Sequence, residues 1–178
     1  MIKVNANKVI KPIHNFWNNL HFHPTDAIED SWGQEILNDV SKDKVAKMIR
    51  LYTMMEDIVS VDADGNLHYD FALNDLRIDY LIKKGFKLLL DYAYLPPFLA
   101  KNPNLVSAAA KNKTRYKGKM IVNSIPKDYK VWGEICYQYT KHIVEKYGLD
   151  LVLTWKLQCW NEPDLHLFFM GDLDNSDP

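Results

Sequence analysis

The sequence predicts an α/β fold with a parallel sheet, laid out as the first four or so β/α units of a (β/α)8 TIM barrel. Three observations carry this reading. Short, mostly apolar runs end at Tyr52, Tyr92 and Trp160, the pattern of strands buried on both faces. Segments with helical spacing lie between them, so the runs are joined by crossovers and pair in parallel. A chain of 178 residues then holds half of a barrel that takes about 250 residues when complete.

A first strand is placed near Phe16 to Phe22. Ile28, Trp32, Ile36 and Val40 recur every four residues, which predicts an amphipathic helix from Ala27 to Val40 with that stripe inward. Val45 to Tyr52 reads as the second strand, and Asp62-Ala63-Asp64-Gly65-Asn66 as a turn. Helical spacing returns from Leu73 to Lys84, with Leu76 and Tyr80 one turn apart. Lys83 and Lys84 make a cationic last turn there, and Gly85 a left-handed cap. Phe86 to Tyr92 is the third strand. Pro96-Pro97 then breaks the chain into a long connection containing Asn102-Pro103 and the Lys/Asn stretch from Lys111 to Lys119, of a length expected to carry function or to be mobile. Pro126 and Asp128 suit the first turn of a helix whose Trp132, Ile135, Cys136, Tyr139 and Ile143 form one face, and Gly148 ends it. Leu151 to Trp160 is the fourth strand; no internal repeat or low-complexity tract interrupts the pattern.

Apolar residues make up 47% of the chain, enough for a real core. Lysine and arginine number 22 against 23 aspartate and glutamate, and no window concentrates the cations on one face, so nucleic acid is not an expected partner. No stretch approaches the roughly 20 apolar residues that span a bilayer, so no membrane partner is expected either. The opening residues lack a leader-like apolar run, which points to the cytoplasm, or to secretion if a leader has been removed. Cys136 and Cys159 sit in apolar runs and read as small buried hydrophobes. Asn112-Lys113-Thr114 matches a glycosylation sequon, which matters only in a secreted protein.

The chemistry concentrates at Asn161-Glu162-Pro163, directly after the fourth strand, since catalytic groups of α/β barrels collect at the carboxyl ends of strands. Glycoside cleavage needs a carboxyl group that protonates the departing oxygen and later deprotonates water, and Glu162 is placed to serve. Asn161 can hydrogen-bond a sugar hydroxyl, and Pro163, with fixed φ and no N–H, stops the strand at the rim. The competing reading is a glutamate in an ordinary strand-to-helix turn. His21, His23 and Asp26 match no standard zinc spacing, so no metal and no cofactor is predicted; His21 is retained as a substrate contact. Trp17, Tyr52, Tyr92, Tyr94 and Trp160 are candidates for stacking on sugar rings, with core packing favoured for Trp160. Asp91 ends the third strand, where a salt-bridge role is favoured over partnership with Glu162.

Pro126-Lys127-Asp128-Tyr129 through Trp132, Lys146-Tyr147-Gly148-Leu149, Trp155 and Trp160-Asn161-Glu162-Pro163-Asp164 together resemble glycoside hydrolase family 39, which contains β-xylosidases and α-L-iduronidases. Tyr69-Asp70-Phe71, Asp79 and Pro96 also look like their counterparts. The resemblance implies a (β/α)8 barrel of which residues 1–178 are the N-terminal half of a single catalytic domain. It also implies retention of configuration, Glu162 as acid/base, and a nucleophilic glutamate near the end of a seventh strand, outside this chain. The expected partner is a carbohydrate, a pentoside or uronide, bound by Asn161, Tyr52, His21, Tyr92 and His166. Two departures bear on the sugar. Tyr52 stands where the family has a histidine after the arginine matched by Arg50, and Leu165-His166 keeps one of the paired histidines of the iduronidases. The alternative is a carbohydrate-binding pseudoenzyme or inactive barrel fragment.

Overall fold

The computed structural model describes residues 18–106, 121–165 and 168–170, with the single positions 3, 5, 7, 8, 11, 117 and 119. Phe16, Trp17, Asn112 and His166 lie outside the described residues. The elements are β1 (Asn19–His21), α1 (Ser31–Lys42), β2 (Met48–Tyr52), β3 (Val59–Val61), β4 (Leu67–Tyr69), α2 (Ala72–Lys83), β5 (Lys87–Tyr92), α3 (Tyr129–Tyr147), α4 (Leu149–Val152) and β6 (Lys156–Cys159). Four strands form one parallel sheet in the order β1-β2-β5-β6, the order in which successive β/α units add strands. Their carboxyl ends therefore share one side.

Register and period two sort the side chains. Ile49 and Leu51 on β2 pair with Leu88 and Leu90 on β5, and all four are fully buried in the main apolar cluster. Arg50 pairs with His21 and Leu89, Tyr52 with Asp91, and Asp91 with Gln158, so these polar residues occupy the opposite face. The predicted strands appear shorter than expected but in place.

The helix expected from Ala27 to Val40 is two elements. Asp30 is extended (φ −94°, ψ 149°), which separates a 3-10 turn at Thr25–Glu29 from α1. Ile28 is buried in the turn, whereas Trp32 and Ile36 are 48% and 46% exposed and Gly33 and Leu37 face inward. Gly33 is required at the crossing, because a Cβ there would lie 2.0 Å from the Ala27 carbonyl oxygen. On α2 the inward face is Asn74, Arg77, Ile78 and Leu81, while Leu76 is exposed. Arg77 is buried because it pairs with Glu29 and, at 2.9 Å, with Asp57, so a charge occupies a position that simple amphipathicity assigns to an apolar residue. Gly85 caps α2 at φ +85°, as expected.

The turn at Asp62–Asn66 closes an antiparallel hairpin, β3 with β4, that the sequence pattern did not show. The long connection is partly tied down, with bridges from Leu95 and Val106 to Val122 and from Ala100 to Pro126. Asp128 is the N-cap of α3, accepting from Lys130 N at 2.7 Å, and Ile135, Tyr139 and Ile143 are buried along the helix. The run from Leu151 to Trp160 is not all strand: Leu151 and Val152 belong to α4, and only Lys156–Cys159 is extended. Both cysteines are free, Cys136 half-buried and Cys159 exposed on the outermost strand, contrary to the expected burial of the latter.

Candidate active site

Arg50 organises the carboxyl-end rim. It stands in β2 with its side chain on the face opposite the buried leucines, and it reaches three other strand ends. One Nη2 ion-pairs with Asp91 and donates to Asn161 Oδ1 at 2.8 Å; Nε donates to Gln158 Oε1 at 3.1 Å; Nη1 lies 3.2 Å from His21 Nδ1. A guanidinium has five donors in a rigid fork and no acceptor, which suits it to tie four chain segments at fixed angles.

Electrostatics follow from this packing. Asp91 is fully buried, and burial pushes its carboxyl up to about 6 against the opposing pull of Arg50. Its Oδ1 has no hydrogen-bond partner among the described residues. His21 is lowered to about 4 by partial burial, then by Arg50 and His23, so it is neutral at pH 7 and its ring nitrogen accepts from Arg50. Tyr52 is buried edge-on to His21 at 5.1 Å and packs against Tyr94 at 4.9 Å between ring centroids. Arg50 also lies over the Tyr52 ring, 5.1 Å from its centroid.

The backbone after β6 turns sharply. Trp160 (φ +66°) and Glu162 (φ +45°) both adopt the left-handed conformation, a cost of about 1–2 kcal/mol for each non-glycine residue. Two contacts hold the turn: the Trp160 indole N–H donates to Phe168 O at 2.8 Å, and Gln158 Nε2 donates to Trp160 O at 2.8 Å. The Trp160 ring is buried against Tyr94, Trp132 and Phe169, in agreement with a packing role. Glu162 is left exposed, 3.5 Å from Asn161 Nδ2. Because Arg50 can only donate, Asn161 must present Oδ1 to it, which leaves the amide N–H group on the Glu162 side.

Of the residues the sequence nominated, His21, Tyr52, Asn161 and Glu162 thus gather around Arg50. Tyr92 does not. It shares strand parity with Leu88 and Leu90, its hydroxyl meets Thr140 Oγ1 on α3 at 2.9 Å, and its ring packs on Tyr139, so its expected substrate contact is corrected to a packing role under the helices. Burial pushes its phenol up to about 12. Asp91, engaged by Arg50, takes the salt-bridge role. Gln158 was missed by the sequence reading, although its parity with Asp91 across the β5–β6 pair was the available signal. Among the described residues no group of three or more His, Cys, Asp or Glu side chains is placed to hold a metal ion.

A parallel sheet of successive β/α units, with a carboxylate, an amide and aromatic rings at its carboxyl rim, is the arrangement of an α/β-barrel enzyme's catalytic face. The sequence model of Glycosyl hydrolases family 39 matches residues 1–177, and the chain belongs to that family. A β-xylosidase of Caldicellulosiruptor saccharolyticus is 29% identical over 174 residues, which cover 94% of this chain and 33% of the relative. The α-L-iduronidase of Homo sapiens is 24% identical over 178 residues, 94% of this chain and 24% of that protein. The crystal structure of a monomeric β-xylosidase from Caulobacter crescentus CB15 has the same fold, with a TM-score of 0.74 at 23% identity over 89% of this chain and 30% of that one. The chain spans about a third of the β-xylosidase relative's length.

Proposed function

We propose that this chain supplies the acid/base half of a retaining glycoside hydrolase, as the N-terminal half of one catalytic barrel. In the first step Glu162 protonates the glycosidic oxygen while a carboxylate from outside these 178 residues attacks the anomeric carbon. In the second, Glu162 takes a proton from the water that releases the sugar. Asn161 donates to a sugar hydroxyl through the N–H group left over from its bond to Arg50. His21, neutral, lines the same rim. The single observation behind the reading is the position of Glu162: exposed at the carboxyl end of the fourth parallel strand, beside an asparagine locked by a buried ion pair. A pentoside or uronide substrate is the finer part of the proposal, supported by kinship with both β-xylosidases and α-L-iduronidases.

Glu162→Gln in the complete enzyme tests it. With a poor leaving group, which needs protonation, kcat/KM on an alkyl xyloside or iduronide should fall by about 10²–10⁴. A nitrophenyl glycoside, whose leaving group departs unaided, should lose far less in the first step. Equal losses on both substrates would assign Glu162 another role.

A further inference from the structure

We propose, on the acid/base role assigned to Glu162 above, that Gln158 is a positioning residue for that chemistry: it holds the turn carrying Asn161 and Glu162 against the Arg50 guanidinium. Gln158 is half-buried on β6, on the same face as Asp91, and its amide is engaged at both ends. Oε1 accepts from Arg50 Nε at 3.1 Å, and Nε2 donates to the Trp160 carbonyl oxygen at 2.8 Å. A guanidinium can only donate, so Arg50 decides which way round the amide stands. Flipped, Gln158 would set N–H against N–H at Arg50 and oxygen against oxygen at Trp160. The same guanidinium orients Asn161, whose Oδ1 accepts from Nη2 at 2.8 Å. One side chain therefore fixes two amides. The first grips the backbone just before Asn161, and the second turns its N–H group to the Glu162 side. Asp91, fully buried, completes the assembly by ion-pairing with Arg50.

The bond at Trp160 holds a backbone that the chain does not favour by itself. Trp160 and Glu162 stand at φ +66° and +45°, and left-handed backbone at non-glycine residues persists only where surrounding contacts over-determine it. The Trp160 side chain has contacts of its own: the indole N–H donates to Phe168 O at 2.8 Å, and the ring packs on Tyr94, Trp132 and Phe169. Those contacts set the ring, whereas Gln158 sets the carbonyl that begins the Trp160–Asn161 peptide. Rotation of that peptide would carry Asn161 and Glu162 off the rim together, since both follow it in the chain. Proton transfer to a leaving oxygen needs heavy atoms within hydrogen-bond reach, and a displacement of about 1 Å can cost about 100-fold in rate. Gln158 exchanges no proton in the reaction and acts through Arg50 and the Trp160 carbonyl.

In the complete enzyme, Gln158→Met removes both bonds at nearly constant side-chain length. On an alkyl xyloside or iduronide kcat/KM should fall about 10- to 100-fold, while a nitrophenyl glycoside, which does not need the proton, should change by less than about threefold. The same substitution placed on Glu162→Gln should cause little further loss on the alkyl substrate, because the group it positions is already gone. A residue that only supports the fold would lower both substrates equally and add its loss to that of Glu162→Gln. Gln158→Asn keeps an amide but is one methylene too short to span Arg50 and Trp160, so it should show the same pattern at smaller size and stands in if the methionine variant does not fold. Equal losses on the two substrates, full additivity with Glu162→Gln, or unchanged kinetics would overturn the positioning role and leave the role of Glu162 intact. Loss of leaving-group selectivity in Glu162→Gln itself would overturn both.

Discussion

Residues 1–178 produced alone should self-associate, because the four-stranded sheet of the described residues has two open edges. β6 is the outermost strand, with Leu157 50% exposed beside Leu153 and Leu151, and β1 is the other open edge. Leu157→Lys removes the apolar side chain and adds a charge next to Lys156. Burying a whole leucine contributes about 1.5–3 kcal/mol, so half of one, counted twice across a two-fold contact, contributes about 2 kcal/mol. Sedimentation velocity of the chain should therefore show concentration-dependent association, and the variant's dissociation constant should rise about 30-fold. A cooperatively melting monomer at all concentrations would refute the reasoning, because it would mean that the chain closes its own core.

Asp91→Asn should flatten the pH dependence of stability between about 4 and 6. The folded carboxyl, raised to about 6, binds a proton more readily than the unfolded one, so its contribution is fully present below the unfolded pKa and is lost as pH rises through about 6. A shift of that size corresponds to about 3 kcal/mol, read as the difference between native and variant denaturation midpoints across that range; parallel curves would contradict it. Arg77→Met should destabilise by about 3–5 kcal/mol in urea unfolding, since Asp57 and Glu29 lose a fully buried partner, and a loss under about 1 kcal/mol would show the network to be slack. Tyr92→Phe should cost about 1 kcal/mol of stability through its bond to Thr140 and leave kcat/KM unchanged; a tenfold fall in kcat/KM would return Tyr92 to the substrate.

Local chemistry determined much of this protein. Apolar runs of strand length, the Asp128 N-cap, the Gly85 cap and the placement of Asn161-Glu162-Pro163 after a strand are decided by residues within a few positions of one another, and each can be read in order along the chain. Strand parity even held the answer for Tyr92, which follows Leu88 and Leu90 in steps of two. Tertiary structure decided the rest, because partners distant in sequence set whether a side chain is buried. Arg77 is inside since Glu29 and Asp57 meet it there, and Trp32 lies outside since an extended Asp30 turns α1 relative to Ile28. Arg50 joins His21, Asp91, Gln158 and Asn161 only because parallel pairing fixes the register of four strands. Periodicity reports a segment's average environment, whereas a charge is neutralised by a particular partner, and only the fold supplies that partner.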